Sequence, residues 1–360
     1  MGNDQSCQGA ERVKPATSGS SLLAKVTQSE DFTVSVVIVT YNSENTIERC
    51  LHSLFRQSMI SNQVVVVDGG SSDSTIRIVN EMKEKSPFPI SVIIEAGKTR
   101  GRCRNVGLEH CSGNFVAFLD SDCQAPFDWI NNIVTAFRNS EESIRGVGGP
   151  YVPPERSPVF SKTTYHLLGI LTGKLTAQFL RREDQERLVD ALPGGNCAFS
   201  REAMLEVSGF DSSMDLCEDT DVSHRLGSRG YKLKFTPTLF VHHDWRGWKG
   251  LLPLASAAFS YGKGRVVASR SKDSLSPYGN ALLFSALVLG ALLELTLPFV
   301  SPIYLLLPGI TILGYLAFCS LLMMKHKAFS VKAFLSPVVF LASYGLGMLS
   351  GVSKSRRKVD

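Results

Sequence analysis

Two apolar, β-branched runs lie close together in the sequence: Val34-Ser35-Val36-Val37-Ile38-Val39-Thr40 and Gln63-Val64-Val65-Val66-Val67. Neither run alternates with polar residues, which is typical of strands that are buried on both faces of a sheet. Two further short strands are expected at Ile90–Ile94 and Phe115–Leu119, and stretches with helical spacing separate the first strands. Strand, helix, strand and helix in this order predict an α/β fold with a doubly wound, mostly parallel sheet.

Polar residues directly follow three of these strands. Tyr41 and Asn42 come after the first strand, Asp68 after the second and Asp120 after the fourth. In open parallel sheets, ligands bind beyond the carboxyl ends of the strands. These residues are therefore functional candidates.

The fourth strand ends in Leu119-Asp120-Ser121-Asp122, where two carboxylates flank one small residue. Hard divalent cations prefer carboxylate oxygens and commonly bridge a protein to substrate phosphates. An Asp-rich turn that only ends a strand is the alternative interpretation. The other polar strand ends favour the cation site.

The composition is that of a folded chain without a strong charge. Its 360 residues include 38 Lys and Arg against 33 Asp and Glu, and the net charge of +5 is too small to indicate nucleic-acid binding. The 8 cysteines form no CxxC pair and no zinc spacing, so neither a disulfide framework nor a zinc site is expected.

Residues 1–33 are polar, lack the apolar core of a secretory signal, and are expected to form a flexible leader.

Three apolar segments near the C-terminus, residues 281–300, 303–323 and 333–352, predict an α-helical membrane region over 276–360. A bilayer core of ~30 Å requires ~20 apolar residues of helix, which each segment supplies. Glu294 is the one charged residue inside a segment and is expected to face other helices or water. Core helices of a large water-soluble protein are the alternative.

Basic residues flank the first two apolar segments. They lie at 263–272 and 325–332, which favours a hairpin with both ends in the cytoplasm. The basic residues at 354–358 conflict with a third full crossing. A re-entrant or interfacial third segment, broken at Pro337 and loosened by Gly345 and Gly347, would remove the conflict, and two or three crossings both stay open.

Residues 249–275 connect the α/β region to the apolar segments. They are expected to form an amphipathic segment at the membrane surface, with an ordinary core helix as the alternative. We expect a multi-pass protein of the cell membrane whose domain over residues 34–248 lies in the cytoplasm.

Six segments share their residues and their order with one known family. They are Val34–Asn42, Val67–Thr75, Gly101–Gly107, Gly113–Asp122, Gly194–Phe199 with Gly209–Asp211, and Glu218–Val222. Each resembles the corresponding segment of the family 2 glycosyltransferases, whose fold is called GT-A. The resemblance implies this fold for residues 34–248 and an activity that uses a nucleotide sugar.

The resemblance also implies roles on the donor side. The residues implied for the nucleotide-sugar pocket are Thr40, Tyr41, Asn42, Asp68, Arg104, Asn105, Asp120 and Ser121. Asp122 and Asp120 would hold Mg²⁺ or Mn²⁺ against the donor phosphates, with Asp122 as the more direct ligand. Arg104 would neutralise charge near the diphosphate, and a surface arginine paired with Glu109 is the alternative.

On the acceptor side, the resemblance implies Asp219 as the general base and Glu218 as a group that orients it or an acceptor, with Gly195 and Asn196 nearby. Acidic residues that are favoured by the dipole of a helix N-terminus are the alternative for both carboxylates.

His242 and His243 end a later predicted strand. Adjacent residues of a strand point to opposite faces, so at most one of the two reaches the site. We expect His242 there, as a contact of the metal or the diphosphate.

Together these features predict an inverting, metal-dependent glycosyltransferase that moves one sugar from a nucleotide sugar to a membrane-held, lipid-linked or glycolipid acceptor. The Gln-x-x-Arg-Trp signature of processive polysaccharide synthases is absent, which favours a single transfer. Val39 and Gly69 depart from residues common in the family without removing a metal ligand. A polyprenyl-phosphate sugar synthase and a non-catalytic membrane protein that binds nucleotide sugars are the alternatives.

Overall fold

The computed structural model describes residues 32–172, 185–244, 249–268 and 336–356, together with isolated residues between 310 and 335. The expected leader over 1–33 lies almost entirely outside the described residues, as do the apolar segment 281–300 and most of 303–323. Within the described part, the following cysteines form no disulfide: Cys50, Cys103, Cys111, Cys123, Cys197 and Cys217.

An eight-stranded mixed sheet forms the centre of the molecule, and a three-stranded sheet lies beside it. The strands are β1 (Val34–Thr40), β2 (Gln63–Asp68), β3 (Ile90–Ile94), β4 (Phe115–Leu119), β5 (Cys123–Gln124), β6 (Ile144–Gly148), β7 (Tyr151–Val152), β8 (Arg187–Val189), β9 (Asn196–Ser200), β10 (Lys232–Phe235) and β11 (Val241–His243). The order is β3-β2-β1-β4-β9-β6-β10-β8 in the large sheet and β5-β11-β7 in the small one.

Helices connect these strands and extend beyond them. They are α1 (Ile47–Phe55), α2 (Thr75–Lys83), α3 (Arg100–Glu109), α4 (Trp129–Arg138), α5 (Val159–Thr172), α6 (Arg201–Glu206), α7 (Glu218–Ser228), α8 (Leu251–Ala268) and α9 (Ser336–Arg356). α1, α2 and α3 link the first four strands, which confirms the predicted alternation of strands and helices.

β1 to β4 are parallel, as the sequence predicts, but β9 runs antiparallel to both β4 and β6. The chain enters β9 from a loop at the carboxyl edge of the sheet, so this strand starts where the parallel strands end. Asn196, the first residue of β9, therefore pairs with Leu119, the last residue of β4. The reversal brings the Gly194–Asn196 segment next to the Asp120–Asp122 motif.

Apolar layers cover both faces of the sheet. Val36 and Ile38 of β1 pack in one buried cluster with residues of α1 and α4, whereas Val37 packs in the opposite cluster with residues of α3. All three side chains are buried, and each contributes roughly 1.5–3 kcal/mol by leaving water. Burial on both faces explains the uninterrupted apolar run and holds the polar strand ends in fixed positions.

α8 and α9 pack along each other as a helical pair. Gly262 of α8 lies against the backbone of Tyr344, and Gly347 of α9 lies against the backbone of Phe259. A side chain at either glycine would overlap with backbone atoms of the other helix. The small residues therefore set the short distance between the two helices.

α8 has a buried side and an exposed side. Leu254, Ala257 and Ala258 are buried, while Leu252 is 85% exposed and Phe259 is 38% exposed. Gly264 of the same helix lies against Leu216, in the loop before α7, so the helical pair is attached to the α/β domain.

The third apolar segment differs from the expectation. Pro337 lies in the first turn of α9, where a proline is tolerated, and the helix continues through Gly345 and Gly347 to Arg356. Residues 336–352 of the segment therefore form one continuous helix on α8, with no break between Pro337 and Gly347. Among the helices of the described residues, none combines the length and the apolar character that a membrane span needs.

Candidate active site

The carboxyl ends of β1 and β2 form one wall of the candidate site. Asp68, the last residue of β2, is buried, and its carboxylate accepts hydrogen bonds from the backbone N–H groups of Gly70 at 2.8 Å and Ser71 at 2.7 Å. The Ser71 hydroxyl donates to the same carboxylate at 2.5 Å. Asp68 thus folds the loop after β2 into a tight turn. Its contact with a nucleotide stays a prediction.

Thr40, Tyr41 and Asn42 lie beside this turn. Tyr41 is 63% exposed, and its side chain lies next to Gly69. Asn42 has a left-handed backbone with φ 48°, and its side-chain oxygen accepts a hydrogen bond from the backbone N–H of Ser72 at 2.9 Å. The buried Thr40 hydroxyl has no hydrogen-bond partner among the described residues. An exposed aromatic ring beside polar groups suits contact with a nucleobase.

Asp122 contacts His243. Nε2 of the buried His243 lies 3.1 Å from Oδ1 of Asp122, whereas Nδ1 of His242 lies 3.4 Å from the carbonyl oxygen of Pro153. The choice of His242 for the site is therefore wrong. The pairing of β11 with β5, which sets His243 opposite Cys123, decides which histidine faces Asp122.

The two side chains shift each other's protonation. Burial alone would raise the pKa of Asp122, but the charge and the hydrogen bond of His243 outweigh it and lower that pKa. Burial alone would lower the pKa of His243, but the attraction of Asp122 outweighs it and raises that pKa above its usual value. Asp122 therefore stays negatively charged. The Asp122 carboxylate would also attract a metal cation that replaced the proton of His243.

These residues fit a divalent cation. Asp122, Cys123 and His243 place potential ligand atoms within 4.8 Å of one another. Burial raises the pKa of Cys123 well above its usual value, so the thiol stays protonated and is a poor ligand. A carboxylate oxygen with an imidazole nitrogen suits Mn²⁺, and carboxylate oxygens suit Mg²⁺. Ser121, between the two aspartates, shares a hydrogen bond with the Ser43 hydroxyl at 2.9 Å.

Arg104 joins two carboxylates of the site. It is buried, forms an ion pair with Glu218, and donates from Nη2 to Oδ1 of Asp120 at 3.3 Å. Burial alone would lower the pKa of Arg104, but the two carboxylates outweigh it and raise that pKa, so the guanidinium is charged. The alternative pairing with Glu109 is wrong, because Arg102 is the residue that contacts Glu109, at 3.5 Å. Arg104 therefore binds carboxylates of the chain where a contact with the donor diphosphate was expected.

The first turn of α7 presents the predicted base. Cys217 has a left-handed φ of 62° and turns the chain into the helix. The carboxylate of Asp219 accepts hydrogen bonds from the backbone N–H groups of Gly194 at 2.9 Å and Thr220 at 2.7 Å. Both oxygens are thus held in place, while the side chain stays half-buried and accessible. The neighbouring Glu218 is buried, and burial raises its pKa against the attraction of Arg104.

Gly195 allows close contact between β9 and the aspartate motif. A Cβ atom at this position would overlap with the carboxylate of Asp120, so a residue other than glycine would displace that carboxylate. The backbone N–H of Gly195 donates to the Tyr151 hydroxyl at 2.8 Å. The glycine therefore lies against the aspartate motif, and its role on the acceptor side stays a prediction.

Two asparagines have positions that differ from the expectation. The side chain of Asn196 accepts a hydrogen bond from Trp129 at 2.9 Å and donates one to the carbonyl of Leu239 at 2.7 Å. Asn105 donates to the carbonyl of Phe210 at 2.8 Å and accepts from its N–H at 2.7 Å. Both asparagines are buried and hold neighbouring loops behind the site. These buried positions are inconsistent with a direct contact between substrate and either asparagine.

A family model described as Glycosyl transferase family 2 matches residues 35–207, which include the strands and the aspartate motif described above. Residues 35–207 therefore form a glycosyl transferase family 2 domain. The solved structure of the mannosyltransferase PcManGT from Pyrobaculum calidifontis, in complex with GDP-Man and Mn²⁺, has a TM-score of 0.55 at 18% identity, over 89% of this chain and 87% of that chain. This likeness shows a shared fold and confirms the expected GT-A architecture.

Curated relatives of the family 2 domain are glycosyltransferases. Poly-beta-1,6-N-acetyl-D-glucosamine synthase of Staphylococcus aureus is 25% identical over 208 residues, which are 57% of this chain and 48% of the relative. An uncharacterized glycosyltransferase of Nostoc sp. is 31% identical over 108 residues, which are 30% of this chain and 34% of the relative. The chain thus spans about half the length of the Staphylococcus aureus relative.

The family 2 domain also has site residues that the sequence motifs did not indicate. Tyr151 is buried, with its ring centroid 4.4 Å from that of His243, and burial raises its pKa well above the usual value. Arg100 begins α3, one helical turn before Arg104, and the charges of Glu218 and Asp120 raise its pKa. Neither residue belongs to a quoted motif, and only their contacts in the fold reveal them.

The family 2 domain therefore brings two chemical groups to one edge of its sheet. Asp122 and His243 can hold a cation, and the carboxylate of Asp219 can accept a proton. Arg104 connects the two groups, because it binds Asp120 of the first region and Glu218 of the second.

Proposed function

We propose that this chain is an inverting, metal-dependent glycosyltransferase that moves one sugar from a nucleotide sugar to a membrane-held, lipid-linked acceptor. The position of Asp219 carries the proposal. Its carboxylate accepts a hydrogen bond from Gly194, and the adjacent residue Glu218 forms an ion pair with Arg104, which in turn contacts Asp120. A fixed carboxylate next to a cation site matches the needs of sugar transfer to a hydroxyl group.

The donor side consists of the strand-end residues and the cation site. Asp122 and His243 would hold Mn²⁺ or Mg²⁺, which stabilises negative charge on the departing nucleoside diphosphate when bound. Tyr41, exposed beside the turn that Asp68 shapes, provides a surface for the nucleobase. The glycosyltransferase relatives of the domain support a nucleotide-sugar donor.

Asp219 would act as the general base. The acceptor hydroxyl attacks the anomeric carbon, its proton moves to the Asp219 carboxylate, and the bond to the nucleoside diphosphate breaks. A single displacement of this kind inverts the anomeric centre. The N–H groups of Gly194 and Thr220 orient the carboxylate before the reaction, which reduces the reorganisation needed.

The C-terminal part supports an acceptor at a membrane. Residues 281–351 contain Glu294, Lys325, Lys327 and Lys332 as their charged residues, and the helical pair of α8 and α9 is attached to the domain beside the loop before α7. Exposed apolar side chains on the pair include Leu252, Leu346 and Leu349. The exposed apolar side chains of this helical pair, together with the apolar character of the segments 281–300 and 303–323 in the sequence, suit a lipid-linked acceptor at the cytoplasmic face.

The substitution Asp219→Asn tests the proposal. With detergent-purified protein, Mn²⁺ or Mg²⁺, a panel of labelled nucleotide sugars and native lipid extract, we expect lipid-dependent transfer from one donor that a chelator abolishes. Asp219→Asn should lower transfer by about 100-fold or more while nucleotide binding is retained. The exposed Asp128, whose side chain caps no helix, provides the matched control Asp128→Asn.

Other results would change the proposal in defined ways. Transfer that survives Asp219→Asn would favour a phosphate acceptor and a polyprenyl-phosphate sugar synthase, because a phosphate needs little base catalysis. Nucleotide binding without turnover of any donor would favour a non-catalytic binding protein.

A further inference from the structure

Tyr151 is a buried side chain of the site that the proposed reaction does not use. It is the first residue of β7, and 6% of it is exposed. β7 pairs with β11 in parallel, so that Tyr151 lies opposite Val241. Side chains two positions apart on a strand share a face, and Tyr151 therefore lies on the same face of the small sheet as His243.

The ring of Tyr151 contacts the imidazole of His243. The two ring centroids lie 4.4 Å apart, with an angle of 41° between the ring planes. His243 is also buried, and its Nε2 lies 3.1 Å from Oδ1 of Asp122. Two contacts therefore restrict the imidazole, one with the aromatic ring and one with the carboxylate of the cation site.

The hydroxyl of Tyr151 contacts a different part of the site. It accepts a buried hydrogen bond from the backbone N–H of Gly195 at 2.8 Å. Gly195 lies directly before β9, which begins at Asn196. A buried N–H without a partner is costly, so the hydroxyl supplies an acceptor that the ring of a phenylalanine would not provide.

Gly194 and Gly195 contact both chemical groups of the site. The N–H of Gly194 donates to the Asp219 carboxylate at 2.9 Å. The carbonyl of Gly195 accepts a hydrogen bond from the N–H of Asp120 at 3.2 Å, and a Cβ atom on Gly195 would overlap with the Asp120 carboxylate. A shift of this segment would therefore move the predicted base relative to the aspartate motif.

A series of contacts thus leads from the cation site to the predicted base. Its members, in order, are His243, Tyr151, Gly195, Gly194 and Asp219. Tyr151 contacts the cation side with its ring and the base side with its hydroxyl. The hydroxyl oxygen lies in the plane of the rigid ring, so a movement of the ring also moves the hydrogen bond to Gly195.

We propose that Tyr151 is a positioning residue that links cation binding to the orientation of the base. Its ring holds the His243 imidazole in place for the cation. Its hydroxyl holds the Gly194–Gly195 segment against Asp219. The inference rests on the proposed function, since it concerns the cation and the base of the same reaction.

Two substitutions in the full-length protein separate the ring from the hydroxyl. Tyr151→Phe keeps the ring and removes the hydroxyl, and its Mn²⁺ affinity, measured by electron paramagnetic resonance, should be unchanged. Tyr151→Leu removes both groups and should weaken Mn²⁺ binding by about 10-fold to 100-fold, the usual effect of losing a group that orients a metal ligand. Equal Mn²⁺ affinity of Tyr151→Leu and the unchanged protein would overturn the role of the ring.

Hydrogen exchange measures the Gly194–Gly195 segment without turnover. In Tyr151→Phe the Gly195 amide loses its acceptor, so the peptide that contains it should exchange about 2-fold to 10-fold faster, the usual net effect of one hydrogen bond. Equal exchange in Tyr151→Phe and the unchanged protein would overturn the role of the hydroxyl, even if Tyr151→Leu did not fold.

The link itself predicts a response of the same peptide to the cation. Saturating Mn²⁺ should slow its exchange in the unchanged protein and should have little effect in Tyr151→Leu. An equal effect of Mn²⁺ in both proteins, or an effect in neither, would overturn the link.

Tyr231→Phe is the matched control. The Tyr231 hydroxyl donates to the carboxylate of the exposed Glu206 at 2.6 Å, beyond the end of α7 that lies opposite Asp219. Its loss should change neither Mn²⁺ binding nor the exchange of the Gly195 peptide. Absence of Mn²⁺ binding in the unchanged protein would contradict the proposed function itself, whereas normal Mn²⁺ binding with unaltered Tyr151 variants would contradict the inference alone.

Discussion

Arg104 shows how one side chain can connect two functional regions. Its guanidinium contacts Glu218 at the start of α7 and Asp120 at the end of β4, and it also lies over the ring of Phe210, 5.6 Å from the centroid. Glu218 is separated from Arg104 by 114 positions in the sequence, whereas Asp120 is 16 positions away. The position of the catalytic helix relative to the aspartate motif therefore depends on a buried charge.

Substitution of Arg104 should lower the stability of the protein more strongly than it weakens donor binding. Arg104→Met leaves Glu218 buried without its partner, and we expect the free energy of unfolding to fall by about 3–5 kcal/mol. Urea denaturation measures this loss. The double variant Arg104→Met with Glu218→Met should recover part of it, because both charges are then absent. Native stability of Arg104→Met combined with weak nucleotide binding would instead support a direct contact with the diphosphate.

The two histidines of β11 provide a second test at this scale. His243→Gln should weaken Mn²⁺ binding at least about tenfold, because its Nε2 lies beside the Asp122 carboxylate. His242→Gln is the control and should leave Mn²⁺ binding unchanged, since that ring faces Pro153. Titration of free Mn²⁺ by electron paramagnetic resonance measures both variants. Equal losses in the two would contradict the position of His243.

At the scale of the element, β9 and the helical pair contribute most to the arrangement of the site. The antiparallel direction of β9 sets Gly195 against Asp120, and the bond from Gly194 to Asp219 links the same strand entry to α7. The helical pair depends on small residues for its close contact. Glycine at 262 and 347 lowers intrinsic helix propensity but permits the contact between α8 and α9.

Gly347→Leu should separate the helical pair. The new side chain would overlap with the backbone of Phe259, and overpacking of this kind typically costs about 1–3 kcal/mol. Ala342→Leu adds the same side chain to an exposed position of α9 and should have little effect. The melting temperature of both variants in detergent measures the difference. An unchanged melting temperature for Gly347→Leu would show that α9 does not pack on α8 in this way.

For the whole molecule, the central question is how the α/β domain depends on the C-terminal part. α8 and α9 contact each other closely, and α8 also contacts the loop that leads into α7. Nucleotide binding involves the strand ends, which have their own buried core on both faces of the sheet. Removal of the C-terminal part should therefore leave donor binding intact, whereas transfer to a membrane-held acceptor should be lost.

Deletion of the chain after Lys272 tests this separation. The truncated protein should still bind nucleotide, because the cation site and the strand ends are retained. It should lose most transfer to lipid acceptors, since the apolar segments and α9 are absent. Transfer to lipid extract is compared with nucleotide binding in the same preparation. Full activity of the truncated protein on lipid acceptors would contradict the proposed acceptor.

The sequence alone determined the features that depend on neighbouring residues. The strands at Ile90–Ile94 and Phe115–Leu119 lie where the apolar runs predict them. Phe115–Leu119 is almost completely buried, which leaves a local pattern of apolar residues, whereas Ile90–Ile94 is a partly exposed strand at the edge of the sheet. Asp120 and Asp122 were found in the same way, since the end of a parallel strand marks the ligand edge of the sheet. The resemblance to family 2 added the order of the segments and indicated Asp219 as the candidate base.

Tertiary structure decided the features that depend on distant pairs. The choice between His242 and His243 follows from the register of β11 on β5, and the partners of Arg104 follow from the packing of α3 against α7. Asn196 has the spacing of a site residue, yet its amide bonds Trp129 and Leu239 behind the site. Arg100 belongs to no motif at all. Spacing along the chain records local burial and strand ends, whereas the partner of a side chain is set by contacts between elements that meet only when the chain has folded.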